Sequence, residues 1–195
     1  MYLLNKHNNP IFWLPASEGI YWVIRTKTRE DKELLEIGAG SGHISYLLAK
    51  KGYKIIINDV RKDCVNKIKL TYKLKNIRAK YIYGSLFDIK DKFDFVWNTG
   101  LVQCFSDKKK NVFIKHLAKI SDHVLLFYPD TESKNKILGK DSKKIPGVGD
   151  AKEYSISNIP DIFLKYFSKI EIGVLDENKI KLPYKMYWLY ANNKI

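Results

Sequence analysis

The chain has 195 residues, 45% of them hydrophobic, which is enough for one domain with a sizeable core. Its net charge is +14, from 35 basic and 21 acidic residues, and only Arg25, Arg29, Arg61 and Arg78 are arginines. No apolar stretch is long enough to span a membrane, the N-terminus lacks the pattern of a secretory signal, and Cys64 and Cys104 lie too far apart for a paired zinc motif.

In chain order, the first thirty residues carry Asn9, Trp13, Tyr21, Trp22 and Arg25, with a helical pattern from about Ser17 to Lys27. This segment reads either as a helical cap over a cleft or as aromatics packed on a sheet. Lys32 to Ile37 is an apolar run ending at glycine, a buried strand. A helix opens at Ser41 or Gly42, with Ile44, Leu47 and Leu48 on one face and Gly52 just past its end. Tyr53 to Ile57 is a second strand closing on Asn58 and Asp59. Arg61 to Lys75 is a helix with Cys64, Ile68 and Tyr72 in a stripe. Tyr81 to Tyr83, Phe93 to Trp97 and His123 to Tyr128 are three further strands, and Ser106 caps a helix carrying Phe113, Ile114, Leu117 and Ile120. Tyr166 to Leu175 and Tyr184 to Ala191 are strand-like runs joined by a short polar loop. Strands alternating with helices predict a doubly wound, mainly parallel α/β sheet, and the last two runs an antiparallel hairpin. Residues 1–195 are expected to form a single domain.

Gly38, Gly40 and Gly42 stand at alternate positions between the first strand and its helix, and Asp59 ends the second strand 21 positions after Gly38. In an open α/β sheet, ligands bind beyond the carboxyl ends of the strands. Glycines there allow a tight turn and close approach of a ligand, and an acid at the second strand's end accepts hydrogen bonds from ribose hydroxyls. A plain strand–helix turn explains any one of these features. The features in register point to a nucleoside site. A dinucleotide fingerprint needs G-x-G-x-x-G, and its third glycine is replaced by His43.

Glu36 precedes the loop, giving E-x-G-x-G-x-G. This pattern resembles the first motif of class I S-adenosylmethionine-dependent methyltransferases. The segment YGSLFDI (Tyr83 to Ile89) resembles that family's adenine-contacting stretch, with Ser85 where an acid is common and Asp88 nearby. FDFVWNTGLVQCF (Phe93 to Phe105) resembles its fourth strand and turn, with Gln103 where relatives carry Glu or His. The resemblance covers residues 32 to 130 by motif and implies a Rossmann-like seven-stranded sheet whose last strand is antiparallel. It implies S-adenosylmethionine contacts from Glu36, Gly38, Ala39, Gly40 and Gly42, then from Asp59 and Val60. Further contacts are implied from Ser85 and Leu86 and, on the fourth-strand turn, from Asn98, Thr99 and Gly100.

The sulfonium cofactor supplies the electrophile, and the protein must hold an acceptor in line with its methyl group. No side chain stands out as a base. His43, Tyr128 and Asp130 are the candidates, the last two at the end of the fifth strand where substrate meets cofactor in the family. Residues 131–153 fall where relatives insert a substrate lid, and their lysine-rich composition equally permits a surface loop. The Asp/Asn-Pro-Pro-aromatic tetrad is missing, since Asn98 is followed by Thr-Gly-Leu, which argues against methylation of exocyclic base nitrogens. No metal-ligand cluster is expected.

The resulting expectation is a cytoplasmic methyltransferase acting on a small molecule, as a monomer or homodimer. The lysine excess keeps a nucleic-acid or protein acceptor in view, although coding bias or a thermophilic source produces the same composition. A non-catalytic cofactor-binding module is the third reading.

Overall fold

The computed structural model describes residues 13–130, 157–175 and 185–195, with side chains from Ala16 onward. Its centre is a seven-stranded sheet. In chain order the strands are β1 (Glu33–Ile37), β2 (Lys54–Asp59), β3 (Lys80–Tyr83), β4 (Phe95–Thr99), β5 (His123–Pro129), β6 (Phe167–Val174) and β7 (Met186–Lys194). They lie side by side as β3-β2-β1-β4-β5-β7-β6. The first five are mutually parallel, and β7 inserts antiparallel between β5 and β6. The hairpin read from the sequence is therefore present, with β7 as its inner arm.

Among the described residues, five α-helices cover the sheet: α1 (Trp13–Lys27), α2 (His43–Lys50), α3 (Lys62–Leu74), α4 (Asp107–Ile120) and α5 (Ile159–Phe163). Strand alternation divides the core in two. Leu34, Ile55, Ile57, Phe95 and Trp97 face α1, α2 and α3, whereas Leu35, Ile37, Ile56, Val96 and Leu126 face α4 and α5. The three isoleucines of β2 are buried on both faces, which is why that strand reads as an unbroken apolar run. Because strand order reverses between β1 and β4, their carboxyl ends diverge and leave the crevice in which such sheets bind ligands.

Several boundaries differ from the sequence reading. Helix α1 begins at Trp13 rather than Ser17. Val65, not Cys64, joins Ile68 and Tyr72 in the buried stripe of α3. Strand β4 begins at Phe95, because the Phe93 N–H leaves the ladder to donate to the Ile120 carbonyl at 2.8 Å. Ser106 takes the N-cap position of α4 without a side-chain cap bond. Asn9 and the lid expected over 131–153 lie outside the described residues.

Candidate functional site

The loop from Gly38 to Gly42 leaves β1 and enters α2 with all three glycines at positive φ, between 58° and 67°. At Gly42 a side chain has no room as well as no favourable conformation: a Cβ there would lie 3.1 Å from three carbons of Ile68. Gly40 differs, for a Cβ there would meet only the Arg61 Nη2 atom, at 3.8 Å. Gly42 thus serves packing of the loop against α3, while Gly40 keeps the crevice side open. Gly42→Ala is expected to cost about 2–4 kcal/mol, from the left-handed conformation plus overpacking, read as a lowered midpoint in urea.

The loop is braced from four directions. The Ala39 N–H donates to the Asn58 carbonyl at 3.0 Å, and the Tyr72 hydroxyl donates to the Gly42 carbonyl at 2.6 Å. The Gly40 N–H donates to Asp59 Oδ2 at 2.8 Å. Beneath the loop, the Ser45 hydroxyl donates to Glu36 Oε2. Glu36 is buried, and its carboxyl is pushed up to about 8, chiefly by burial, with the Asp59 charge adding to the shift against the Ser45 hydrogen bond. At neutral pH this acid is therefore largely protonated.

Asp59 sits at the end of β2, 3% exposed, as the glycine spacing requires. Its Oδ1 also accepts from the Arg61 N–H at 2.9 Å and from Arg61 Nε at 3.3 Å. A carboxylate offers about four acceptor positions, so these bonds leave capacity for a ligand hydroxyl. Arg61 stands at its outer side, with a side chain 35% exposed. Val60 beside it is exposed.

The other predicted contacts come from the next strand ends. Ser85 caps a short 3₁₀ turn, Leu86–Asp88, with its hydroxyl accepting from the Phe87 N–H at 3.2 Å. Leu86 is buried beside it. Asn98 is spent on the chain: its Nδ2 donates to the Ile37 carbonyl at 2.6 Å and its Oδ1 accepts from the Leu101 N–H at 3.0 Å. It closes the β4 turn onto the glycine loop, where Leu101 Cδ2 lies 3.4 Å from the position a Gly38 Cβ would take. The Gly100 N–H donates to the Phe127 carbonyl at 2.9 Å. On this same turn, Thr99 Oγ1 and Gln103 Oε1 are buried and have no hydrogen-bond partner among the described residues. Asn58 was missed by sequence reading. Its Nδ2 holds the Ile82 and Gly84 carbonyls at 3.2 and 3.1 Å, fixing the β3 exit toward the crevice.

The candidate bases fare unequally. His43 is the first residue of α2, and its Nδ1 is buried without a partner among the described residues. Burial holds its pKa below the ordinary histidine value, so it is neutral at pH 7. Tyr128 is 4% exposed and packs on the Tyr187 ring, and burial pushes its hydroxyl up to about 12. That hydroxyl is a poor base. Asp130, half-buried, follows β5 and donates its N–H to the Lys185 carbonyl at 2.7 Å. The N-terminal aromatics divide: Tyr21 packs into the core, while Trp22 is exposed under the Arg25 guanidinium. Among the described residues no three His, Cys, Asp or Glu side chains gather as a metal-binding group.

Comparison with known proteins agrees with this architecture. Residues 34–122 match the profile of a methyltransferase domain. A Methanocaldococcus jannaschii protein bearing the provisional name protein N5-glutamine methyltransferase is 30% identical over 109 residues, 54% of this chain and 55% of that protein. The chain thus spans about half the length of the curated relative it matches. A Pyrococcus horikoshii OT3 protein superposes with a TM-score of 0.74 at 14% identity, covering 99% of this chain and 94% of that one. Magnesium protoporphyrin IX methyltransferase from Synechocystis PCC 6803, solved with SAH bound, gives 0.74 at 16% identity over 97% of this chain and 89% of its own. The profile match over residues 34–122, the curated relative and the sheet order agree in likening this chain to methyltransferases, and its fold is the Rossmann-like one of the solved neighbours.

Proposed function

We propose that the chain is an S-adenosylmethionine-dependent methyltransferase, and that its acceptor is a small molecule. The observation that carries the reading is the pairing of an open glycine turn at Gly40 with the Asp59 carboxylate, 2.8 Å from that glycine's N–H, at the carboxyl edge of the sheet. The residues present suit the cofactor. Asp59 has acceptor capacity for a ribose hydroxyl, and Thr99 Oγ1 and Gln103 Oε1 are buried acceptors suited to an ammonium group. Ser85, Leu86 and Val60 would contact the adenine. When bound, the cofactor supplies an electrophilic methyl group. The chain's part is to hold the acceptor in line and keep water away. Neutral His43, or Asp130 at the end of β5, would take a proton where the acceptor must lose one.

A small acceptor is favoured by the Synechocystis neighbour, whose name gives a porphyrin substrate. A macromolecular acceptor is the second reading, favoured by the exposed lysines along α3. A cytoplasmic setting is proposed from the two free thiols; no helix among the described residues is long and apolar enough to cross a membrane. Calorimetric titration with S-adenosylhomocysteine, with NADH as comparator, tests the cofactor. Micromolar binding of the first alone is expected. Preference for NADH would overturn the reading.

A further inference from the structure

Between Lys62 and Lys80 the chain carries seven cations against the single carboxylate of Asp63. Helix α3 turns Val65, Ile68 and Tyr72 inward. Lys62, Lys69 and Lys73 are spaced i, i+7 and i+11, which at about 100° per residue stacks them within roughly 20° of one line. All three are exposed, and none enters an ion pair among the described residues. Lys67, off that line, pairs with Asp63 at 3.8 Å. Along the axis the three are about 10 and 6 Å apart, from the helical rise of about 1.5 Å.

The row runs down the flank of α3 that meets β3, since Lys69 Nζ lies 5.3 Å from the centre of the Tyr81 ring. Strand β3 is the outermost strand on this side. Tyr81 and Tyr83 share the face on which α3 lies, and Tyr83 is 59% exposed. Tyr83 is also the register partner of Asp59, so the upper end of the row opens at the glycine-loop crevice. At the lower end, a groove of about 270 Å³ is lined by Lys54, Arg78 and Lys80, the last paired with Glu33.

We propose that this α3–β3 edge docks a single-stranded nucleic acid, with phosphates along Lys62, Lys69 and Lys73 and a base stacked on Tyr83. Lysine offers point charges suited to a backbone without sequence readout. An exposed aromatic beside such a row suits a strand whose bases are free to stack. An anionic membrane would instead engage Leu70 and Leu74, the exposed apolar residues at the outer centre of α3. Two leucines interrupted by Asn66, Lys67 and Lys73 make too little apolar face to insert. Docking stands apart from cofactor binding. That the docked strand brings the methyl acceptor rests on the second reading of the acceptor.

The test uses the full chain and a short labelled RNA of mixed sequence, followed by fluorescence anisotropy between about 50 and 200 mM salt. Affinity should fall steeply with salt. The triple variant Lys62→Ala, Lys69→Ala, Lys73→Ala should lose about 2 from the log–log salt slope, and so bind about a hundredfold more weakly at 0.1 M. Tyr83→Ala should weaken binding about tenfold through lost stacking. The triple variant should keep wild-type affinity for S-adenosylhomocysteine, which also reports that it is folded. Absence of RNA binding, a salt slope untouched by the triple change, or capture by anionic phospholipid vesicles with no binding of RNA overturns the proposal. An RNA-binding chain that fails to bind S-adenosylhomocysteine would instead remove the methyltransferase reading and leave the docking surface standing.

Discussion

Asp59→Ala should weaken binding of S-adenosylhomocysteine by roughly tenfold to a hundredfold while leaving the chain folded. The carboxylate accepts the Gly40 N–H on one oxygen and the Arg61 backbone N–H on the other, so it fixes the loop's distance from β2 before any ligand arrives. Hydrogen bonds to a charged group are worth about 1.5–3 kcal/mol each. Loss of the bond to a ribose hydroxyl then costs about 1.5–3 kcal/mol, or roughly tenfold to a hundredfold in affinity, at 1.4 kcal/mol per tenfold. The Arg61 side chain complicates the same carboxylate, because its Nε shares Oδ1 at 3.3 Å. This long, part-exposed contact contributes little of its own. Arg61→Ala should therefore leave affinity within about threefold of wild type. If Arg61→Ala removed binding while Asp59→Ala spared it, the guanidinium and not the carboxylate would be the ligand's anchor. Such a site would suit a phosphate-bearing ligand.

Much of this crevice was legible before the fold was known, because its parts are local. Glu36, the three glycines and Asp59 follow from one strand–loop–helix–strand unit, and a unit of that kind repeats its geometry wherever it occurs. The braces were not legible. Asn98 looked like a residue lining the crevice, but its amide joins Ile37 and Leu101, which lie on different elements. Asn58 and Tyr72 hold the β3 exit and the Gly42 carbonyl only because the parallel register of β1, β2 and β3 brings those carbonyls within reach. A sequence gives residue type and spacing but not register between strands, so side chains that join elements stay hidden. The same holds for Val65, which displaces Cys64 from the buried stripe by one position once α3 is seated. Tyr128 reads as a site residue from its place at a strand end, yet its side chain falls on the α4 face of the sheet, in the core.

The second large effect concerns Glu36 and runs through pH. An ordinary glutamate has a value near 4.5, and in the folded chain Glu36 stands at about 8. Between those values the unfolded chain has released the proton and the folded chain keeps it. The stability this acid contributes is thus fully present below about pH 4.5 and is lost as pH rises toward 8, with a slope of up to about 1.4 kcal/mol per pH unit. Glu36→Gln keeps an acceptor for the Ser45 hydroxyl and cannot ionise. It should be at least as stable as wild type at pH 8 and show a flatter stability profile between pH 5 and 8, measured by urea unfolding. Ligand binding adds a second readout. If the cofactor's ammonium group comes to Glu36, its positive charge favours the carboxylate and lowers that pKa. Binding at pH 7 should then release close to one proton, seen as a heat that varies with the ionisation enthalpy of the buffer. In Glu36→Gln that buffer dependence should vanish and affinity should fall. Equal heats in all buffers for the wild-type chain would place the ammonium elsewhere, with Thr99 and Gln103 as its partners and Glu36 as a purely structural acid beneath the loop.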